Sequence, residues 1–94
     1  MTGAGQTVWR HNEDVAVVDS GDRVVVLDLA SLAVPPRILE GSAAAIWRAV
    51  DGERATPEVV ESVAESVGVK AAEIEADVVT FLASLASAGL ILES

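Results

Sequence analysis

Pairs of carboxylates at helical spacing are the residues of this 94-residue chain that could most directly bind a metal ion. Glu61 and Glu65 are four positions apart, which would place both on one face of a helix. Glu73 and Asp77 have the same spacing. No histidine accompanies them on these segments, and the chain has no cysteine, so the usual mixed ligand set is missing. We interpret both pairs as solvated helix faces and predict no metal ion and no other cofactor.

Two further patterns resemble catalytic or nucleotide-binding motifs only in part. His11 lies close to Glu13 and Asp14, as in an acid–base or metal site. A single histidine beside acidic residues near a chain terminus is usually solvated, and we interpret it so. The segment Gly3-Ala4-Gly5 neither follows a strand nor opens a helix, so it is not a phosphate-binding loop. We therefore predict that the protein is not an enzyme.

Composition and charge narrow the possible partners. Hydrophobic residues make up 51% of the chain, which favours one folded domain over residues 1–94, with residues 1–6 disordered. The formal net charge of −9 disfavours nucleic acids and anionic membrane surfaces. The longest uncharged stretch, Val78 to Leu92, is shorter than the ~20 residues of a membrane span. Met1 to Gln6 lacks the features of a signal peptide, so we expect a cytoplasmic protein without a membrane segment.

The first part of the chain reads as short strands. The apolar run Val15 to Val18 and the run Arg23 to Leu29 flank the turn signal Ser20-Gly21-Asp22, which predicts an antiparallel hairpin. Val34 to Leu39 is a third candidate strand that contains two prolines. Because proline cannot donate a hydrogen bond to a neighbouring strand, this strand is expected at a sheet edge. Val8 and Trp9 are compatible with a further short extended piece.

The second part of the chain reads as three helices. The first is predicted from Ser42 to Val50 and the third from Ala71 to Ala88. The second runs to Val67, with Thr56 as its N-cap and Pro57 at its first helical position. Strands followed by a helical trio predict an α+β fold. Its architecture is winged-helix-turn-helix-like, with a three-stranded antiparallel sheet followed by three helices.

The third helix has a wider apolar face than core packing needs. Its apolar arc covers roughly 240°, whereas one core contact needs a stripe of about 100°. The core stripe consists of Ile74, Val78, Phe81, Leu82 and Leu85. The surplus sector consists of small side chains, namely Ala72, Ala76, Val79, Ala83 and Ala86. The surplus either forms a shallow groove or reflects the preference of alanine for helices.

The predicted second and third helices also resemble a DNA-binding helix-turn-helix, but the charges contradict that function. A reading helix needs basic or amide side chains, and the third helix carries Glu73, Glu75 and Asp77. No Lys or Arg occurs between Ala71 and Ser94. We therefore predict no nucleic-acid partner.

The assembled residues resemble the PqqD family and the wider set of leader-recognition domains that serve ribosomally made, modified peptides. The resemblance covers about residues 15–92. Its carriers are Val26-Leu27-Asp28, Leu39, Ile46-Trp47, Asp51-Gly52, Val59, Val63, Val67, Glu75-Ala76-Asp77-Val78, Phe81-Leu82, Leu85 and Gly89-Leu90. It implies a non-catalytic peptide chaperone. Such a protein captures the leader segment of a precursor peptide and presents it to a maturation enzyme, such as a radical SAM enzyme or a leader protease.

The resemblance also implies a binding site. In such domains the leader segment joins the third strand as a further strand and lies between that strand and the third helix. The strand residues expected to bind are Pro36, Arg37, Ile38, Leu39 and Glu40. The helix residues expected to bind are Ala72, Glu75, Ala76, Val79, Leu82 and Ala83.

Two other hypotheses stay open at this point. The same apolar face could bury a second copy of the chain, which would make the protein a structural or oligomerising module and a homodimer. A carboxylate-based enzyme would instead need a cluster of acidic residues in a cleft, which the sequence does not indicate. The sequence names neither the precursor peptide, the modification nor the maturation enzyme.

Overall fold

The computed structural model describes residues 7–31 and 33–94, and the disorder expected for residues 1–6 lies outside the described residues. The expected α+β fold class is confirmed. The elements in chain order are β1 (Trp9–His11), β2 (Val15–Asp19), β3 (Arg23–Asp28), β4 (Arg37–Glu40), α1 (Ser42–Ala49), α2 (Thr56–Val67), α3 (Ala71–Ser87) and β5 (Ile91–Glu93).

Strands β2, β3 and β4 form an antiparallel sheet with β3 in the centre. Val24 pairs with Leu39 and Val26 with Arg37 across β3 and β4. Val24 and Val26 are buried because alternate residues of β3 point towards the helices. Strand β4 lies at a sheet edge, as predicted, but it begins at Arg37 rather than Val34. The two prolines before Arg37 have no N–H groups to pair, which limits the start of the strand.

Strands β1 and β5 form a second, two-stranded ribbon that the sequence did not predict as a pair. Trp9 lies opposite Glu93, and His11 lies opposite Ile91. The His11 ring stacks on Trp47 of α1, with centroids 4.0 Å apart and ring planes 5° from parallel. The prediction of a solvated His11 is therefore wrong, because the ring fastens the ribbon to the helices.

The hydrogen bond of the His11 ring fixes its tautomer. The distance from Nε2 to the carbonyl oxygen of Trp47 is 2.8 Å. A carbonyl oxygen only accepts, so Nε2 must carry the hydrogen and donate it. The ribbon is thus held through both a stacked contact and a directed bond.

The start of α2 differs from the sequence prediction. The N-cap is Ala55, not Thr56, and the Ala55 N–H donates to the Glu58 carboxylate over 3.1 Å. Thr56 is instead the first helical residue, and its hydroxyl donates to the carbonyl oxygen of Thr7 at 3.2 Å. Its side chain therefore anchors the chain just before β1 and does not cap the helix.

One apolar core lies between the three-stranded sheet, the three helices and the ribbon. Its largest buried side chains include Trp47 of α1, Leu82 and Leu85 of α3, and Ile91 of β5. Phe81, predicted as part of the core stripe, is only partly buried and packs against this cluster. The helix α3 therefore contacts the core along a narrow stripe and leaves both of its flanks accessible.

Candidate functional site

The outer edge of β4 is the first feature that can bind a ligand. Strand β4 pairs with β3 on one side, and no described strand pairs with its other side. Because backbone N–H and C=O groups alternate in direction along a strand, half of those in β4 point outward without a strand partner. This edge can therefore accept an extended chain as a further strand.

The side chains of β4 alternate between two faces of the sheet. Arg37 and Leu39 lie opposite Val26 and Val24, so they share the inner face. Leu39 is 6% exposed and belongs to the core. Ile38 points to the outer face and is 58% exposed. Both Leu39 and Ile38 were predicted to contact a peptide through their side chains, but the structure leaves only Ile38 accessible.

A cleft of about 200 Å³ lies beside the beginning of β4. We call it the β4 cleft, and its lining residues are Val26, Asp28, Ser31, Val34, Pro35, Arg37, Ala88 and Leu90. Apolar side chains form most of its wall. Asp28 and Arg37 add one charge of each sign on the inner face of the sheet. Such a lining can bind apolar side chains and orient them through a few polar contacts.

The structure does not bring the predicted α3 residues to this cleft. Val79, Leu82 and Ala83 line a different groove, which lies between α3, the start of α2 and the ribbon. Val79 is nine residues before Ala88, which corresponds to opposite sides of a helix at about 100° per residue. Leu82 is also 2% exposed, so it mainly serves the core.

The remaining α3 residues of the prediction lie on the same flank as Val79. Ala72, Glu75 and Ala76 are exposed, and their helical spacing places them closer to Val79 than to Ala88. They line neither the β4 cleft nor the groove. The β4 cleft and this groove lie on different sides of α3, and the continuous peptide surface from β4 to the surplus sector stays a prediction. Whether the α3 residues contact a peptide stays a prediction.

The sequence reasoning missed several residues of the β4 cleft. Asp28 could have been found, because it continues the inward alternation of Val24 and Val26. Ala88 lies two turns after Phe81 on the same flank of α3, so the partly buried Phe81 marks the side that leads to the cleft. Val34 and Ser31 precede β4 in a connecting segment, where no periodic signal exists.

A salt bridge between Arg48 and Asp19 lies at the opposite edge of the sheet, at β2. Arg48 of α1 donates from Nη2 to Asp19 Oδ1 over 2.7 Å and from Nε to Asp19 Oδ2 over 2.8 Å. The same Nη2 donates to the carbonyl oxygen of Gly21 over 3.0 Å. The hydrogen bond from Arg48, followed by that from the Gly21 N–H, lowers the pKa of Asp19 from 3.8 to about 2.

Residues 7–31 and 33–94 offer no site of two other classes. These residues contain no group of three or more His, Cys, Asp or Glu side chains that could hold a metal ion. None of their helices combines the length and apolar character that crossing a membrane requires.

Comparisons with known proteins agree with this architecture. The family model described as coenzyme PQQ synthesis protein D (PqqD) matches residues 23–91. No curated protein sequence matches the chain. A solved structure, TbiB1 in complex with the TbiA(beta) leader peptide, superposes with a TM-score of 0.75 at 23% sequence identity. The superposition covers 87% of this chain and 93% of TbiB1, and it supports the shared fold.

Proposed function

The chain belongs to the PqqD family, and from that premise we propose that it captures the leader segment of a ribosomally made precursor peptide. The segment adds to β4 as an antiparallel strand and seats side chains in the β4 cleft. The protein acts as a non-catalytic peptide chaperone. TbiB1, which shares the fold, was solved with a leader peptide bound.

The observation that carries this proposal is the free edge of β4 next to a cleft. Backbone groups of Arg37 to Glu40 supply affinity that depends little on sequence, and the cleft supplies selectivity through side chains. The other sheet edge, at β2, likewise has no described strand partner, but neither the β4 cleft nor the groove beside α3 reaches it. There the Arg48 side chain binds Asp19 and the Gly21 carbonyl, so the neighbouring space holds an ion pair.

The alternation of β4 also defines what each guest residue meets. Guest residues on the inner face lie beside Arg37 and the cleft, where an apolar or acidic side chain is favoured. Guest residues on the outer face lie beside Ile38, where apolar side chains are favoured because Ile38 is exposed there. The proposal therefore retains Pro36, Arg37, Ile38, Leu39 and Glu40 as the binding strand, with Leu39 contributing only its backbone.

The biological role follows from peptide capture. We propose that the single domain delivers the bound peptide to a separate maturation enzyme, such as a radical SAM enzyme or a leader protease. Because the peptide is made on ribosomes, we place this exchange in the cytoplasm.

The test is an NMR titration of the full chain with the leader peptide encoded beside its gene. Amide shifts are expected at residues 37–40, together with Val34, Ala88 and Leu90 around the cleft. A peptide of the same composition in scrambled order serves as the control. Shifts confined to α2, or to the turn Ser20–Asp22, would contradict the proposed site.

A further inference from the structure

The groove lined by Val79, Leu82 and Ala83, which we call the ribbon groove, is an apolar depression that the proposed function does not use. Its volume is about 370 Å³, which falls within the range of small-molecule and side-chain pockets. Its other lining residues are Thr7, Trp9, Thr56, Ala86 and Glu93. Val79 is 44% exposed, so part of its side chain is free to contact a ligand.

Trp9 and Glu93 give this groove a specific chemistry. They lie directly opposite each other on β1 and β5, so their side chains leave the same face of the ribbon. Directly opposed residues have Cβ atoms about 4.5–5.5 Å apart. An indole ring and a carboxylate are thus neighbours in a lining that contains no Lys or Arg.

The ribbon cannot offer strand addition at β1, because β1 is paired on both sides. On one side it pairs with β5. On the other side, the carbonyl oxygen of Trp9 accepts from the Gly52 N–H at 2.9 Å, and that of Thr7 accepts from the Thr56 N–H at 2.9 Å. A ligand that contacts β1 in this groove must therefore be recognised through side chains.

We propose that the ribbon groove binds an Arg or Lys side chain from a basic, apolar segment of a partner protein. The aliphatic stem lies along Val79 and Ala83, where contact with apolar surface is favourable. The cationic head lies between the face of the Trp9 indole and the Glu93 carboxylate. The ring attracts the cation through its quadrupole, and the carboxylate attracts it through its charge.

Charge complementarity selects this occupant over the alternatives. The chain has a net charge of −9, so a basic segment is attracted and a second copy of the same chain is repelled. An acidic segment would place a like charge beside Glu93. The site is distinct from the β4 cleft, and the inference does not depend on leader binding.

The experiment is an NMR titration of the full chain with the blocked peptide acetyl-Leu-Leu-Arg-Leu amide at low salt. A matched peptide carries Gln in place of Arg. The Arg peptide is expected to shift the indole N–H of Trp9 and the amides of Val79 and Ala83. The Gln peptide should bind these positions about fivefold more weakly, because it has no cation.

Charge variants separate the carboxylate from a general charge effect. Glu93→Gln should weaken binding of the Arg peptide about twofold to threefold, less than loss of the cation does because Trp9 still attracts it, and leave binding of the Gln peptide unchanged. Glu61→Gln removes the same charge from an exposed position of α2 outside the groove, and it should leave both affinities unchanged.

Several outcomes would overturn the proposal. Equal affinity for the two peptides would do so, and so would shifts at residues 37–40 instead of the groove. The absence of any shift up to about 5 mM peptide would also do so, because that concentration reveals weak binding. Groove signals that move with protein concentration alone would make a second copy the occupant. If the peptide shifts the amides of residues 2–6 at lower concentrations than those of the groove, the occupant is the chain's own amino terminus and not a partner segment.

Discussion

The strands on the two sides of α3 differ in whether their backbone N–H and C=O groups are already paired. On one side, β4 has an outer edge without a strand partner, and the β4 cleft beside it measures about 200 Å³. On the other side, the ribbon groove measures about 370 Å³, but β1 is already paired with β5 and with residues 52–56. The β4 edge can bind a backbone, whereas β1 can bind a ligand only through side chains.

The two sites also differ in the charges that line them. The β4 cleft contains both Asp28 and Arg37, so it sets an orientation without demanding one sign of charge. The ribbon groove contains Glu93 and no basic residue, so it favours cations. A strand-adding site gains affinity from backbone bonds that any sequence can make, while the ribbon groove obtains its selectivity from Trp9 and Glu93.

The largest expected effect comes from removing the core residue on which the ribbon is stacked. Trp47 is 2% exposed and stacks on His11 of the ribbon. Trp47→Ala should lower the free energy of unfolding by about 3–5 kcal/mol, because it opens a cavity and frees the ribbon. Urea denaturation followed by circular dichroism measures this change.

A control substitution outside the core tests whether the effect is specific. Val18 is 64% exposed on β2, so Val18→Ala should change the free energy of unfolding by less than about 0.5 kcal/mol. Similar losses for the two variants would show that Trp47 is not the link between the ribbon and the helices.

The fold could be predicted because its signals are local. The turn at Ser20–Asp22 joins two β-branched runs, and Pro35 and Pro36 mark an edge strand. The ribbon was missed because β1 and β5 come from opposite ends of the chain. A three-residue strand has too few positions to show a period, and its pairing depends on tertiary contacts such as the His11–Trp47 stack.

The site could be predicted only in part. The sequence pattern of a helix gives the width of its apolar face but not the neighbouring element that this face contacts. The surplus sector of α3 is real, since Val79 and Ala83 are exposed. Nothing in the spacing states which element this sector faces. In the structure, Val79, Ala83 and Ala86 line the ribbon groove, whereas the other two alanines of the sector do not. Strand β4 was located correctly because its prolines fix the position of an edge. Leu39 faces the core because it pairs with Val24 of β3. The sequence alone does not give this register, so it could not show which residues of β4 are buried.

A pair of charge insertions tests the separation of the two sites. Val34 is 46% exposed in the β4 cleft, and Val34→Glu should weaken leader binding about tenfold, because a charge then replaces an apolar contact. Ala83→Glu places the same charge in the ribbon groove and should leave leader affinity unchanged. Isothermal titration with the leader peptide measures both variants.

The opposite result would show that the two surfaces belong to one peptide-binding site. If Ala83→Glu weakens leader binding as much as Val34→Glu does, while both variants keep the unfolding midpoint of the parent chain, the leader must cross α3. The surplus sector would then be part of the peptide site.

The smallest expected effect lies at the β2 edge, away from both sites. Asp19 has its pKa lowered from 3.8 to about 2 by Arg48 and by the Gly21 N–H, so the folded state prefers the ionised carboxylate. A lowered pKa contributes stability that is fully present above the ordinary pKa and is lost as the pH falls through the folded value. Asp19→Asn should therefore lower the Tm slightly at pH 7 and pH 5, and the difference should shrink between about pH 4 and pH 2. Asp77→Asn removes the same charge from an exposed position on α3 and serves as the control for the change in net charge. Thermal melts across this range decide the matter: a Tm difference that persists unchanged at pH 2 would show that the loss comes from altered packing of the turn and not from the ion pair with Arg48.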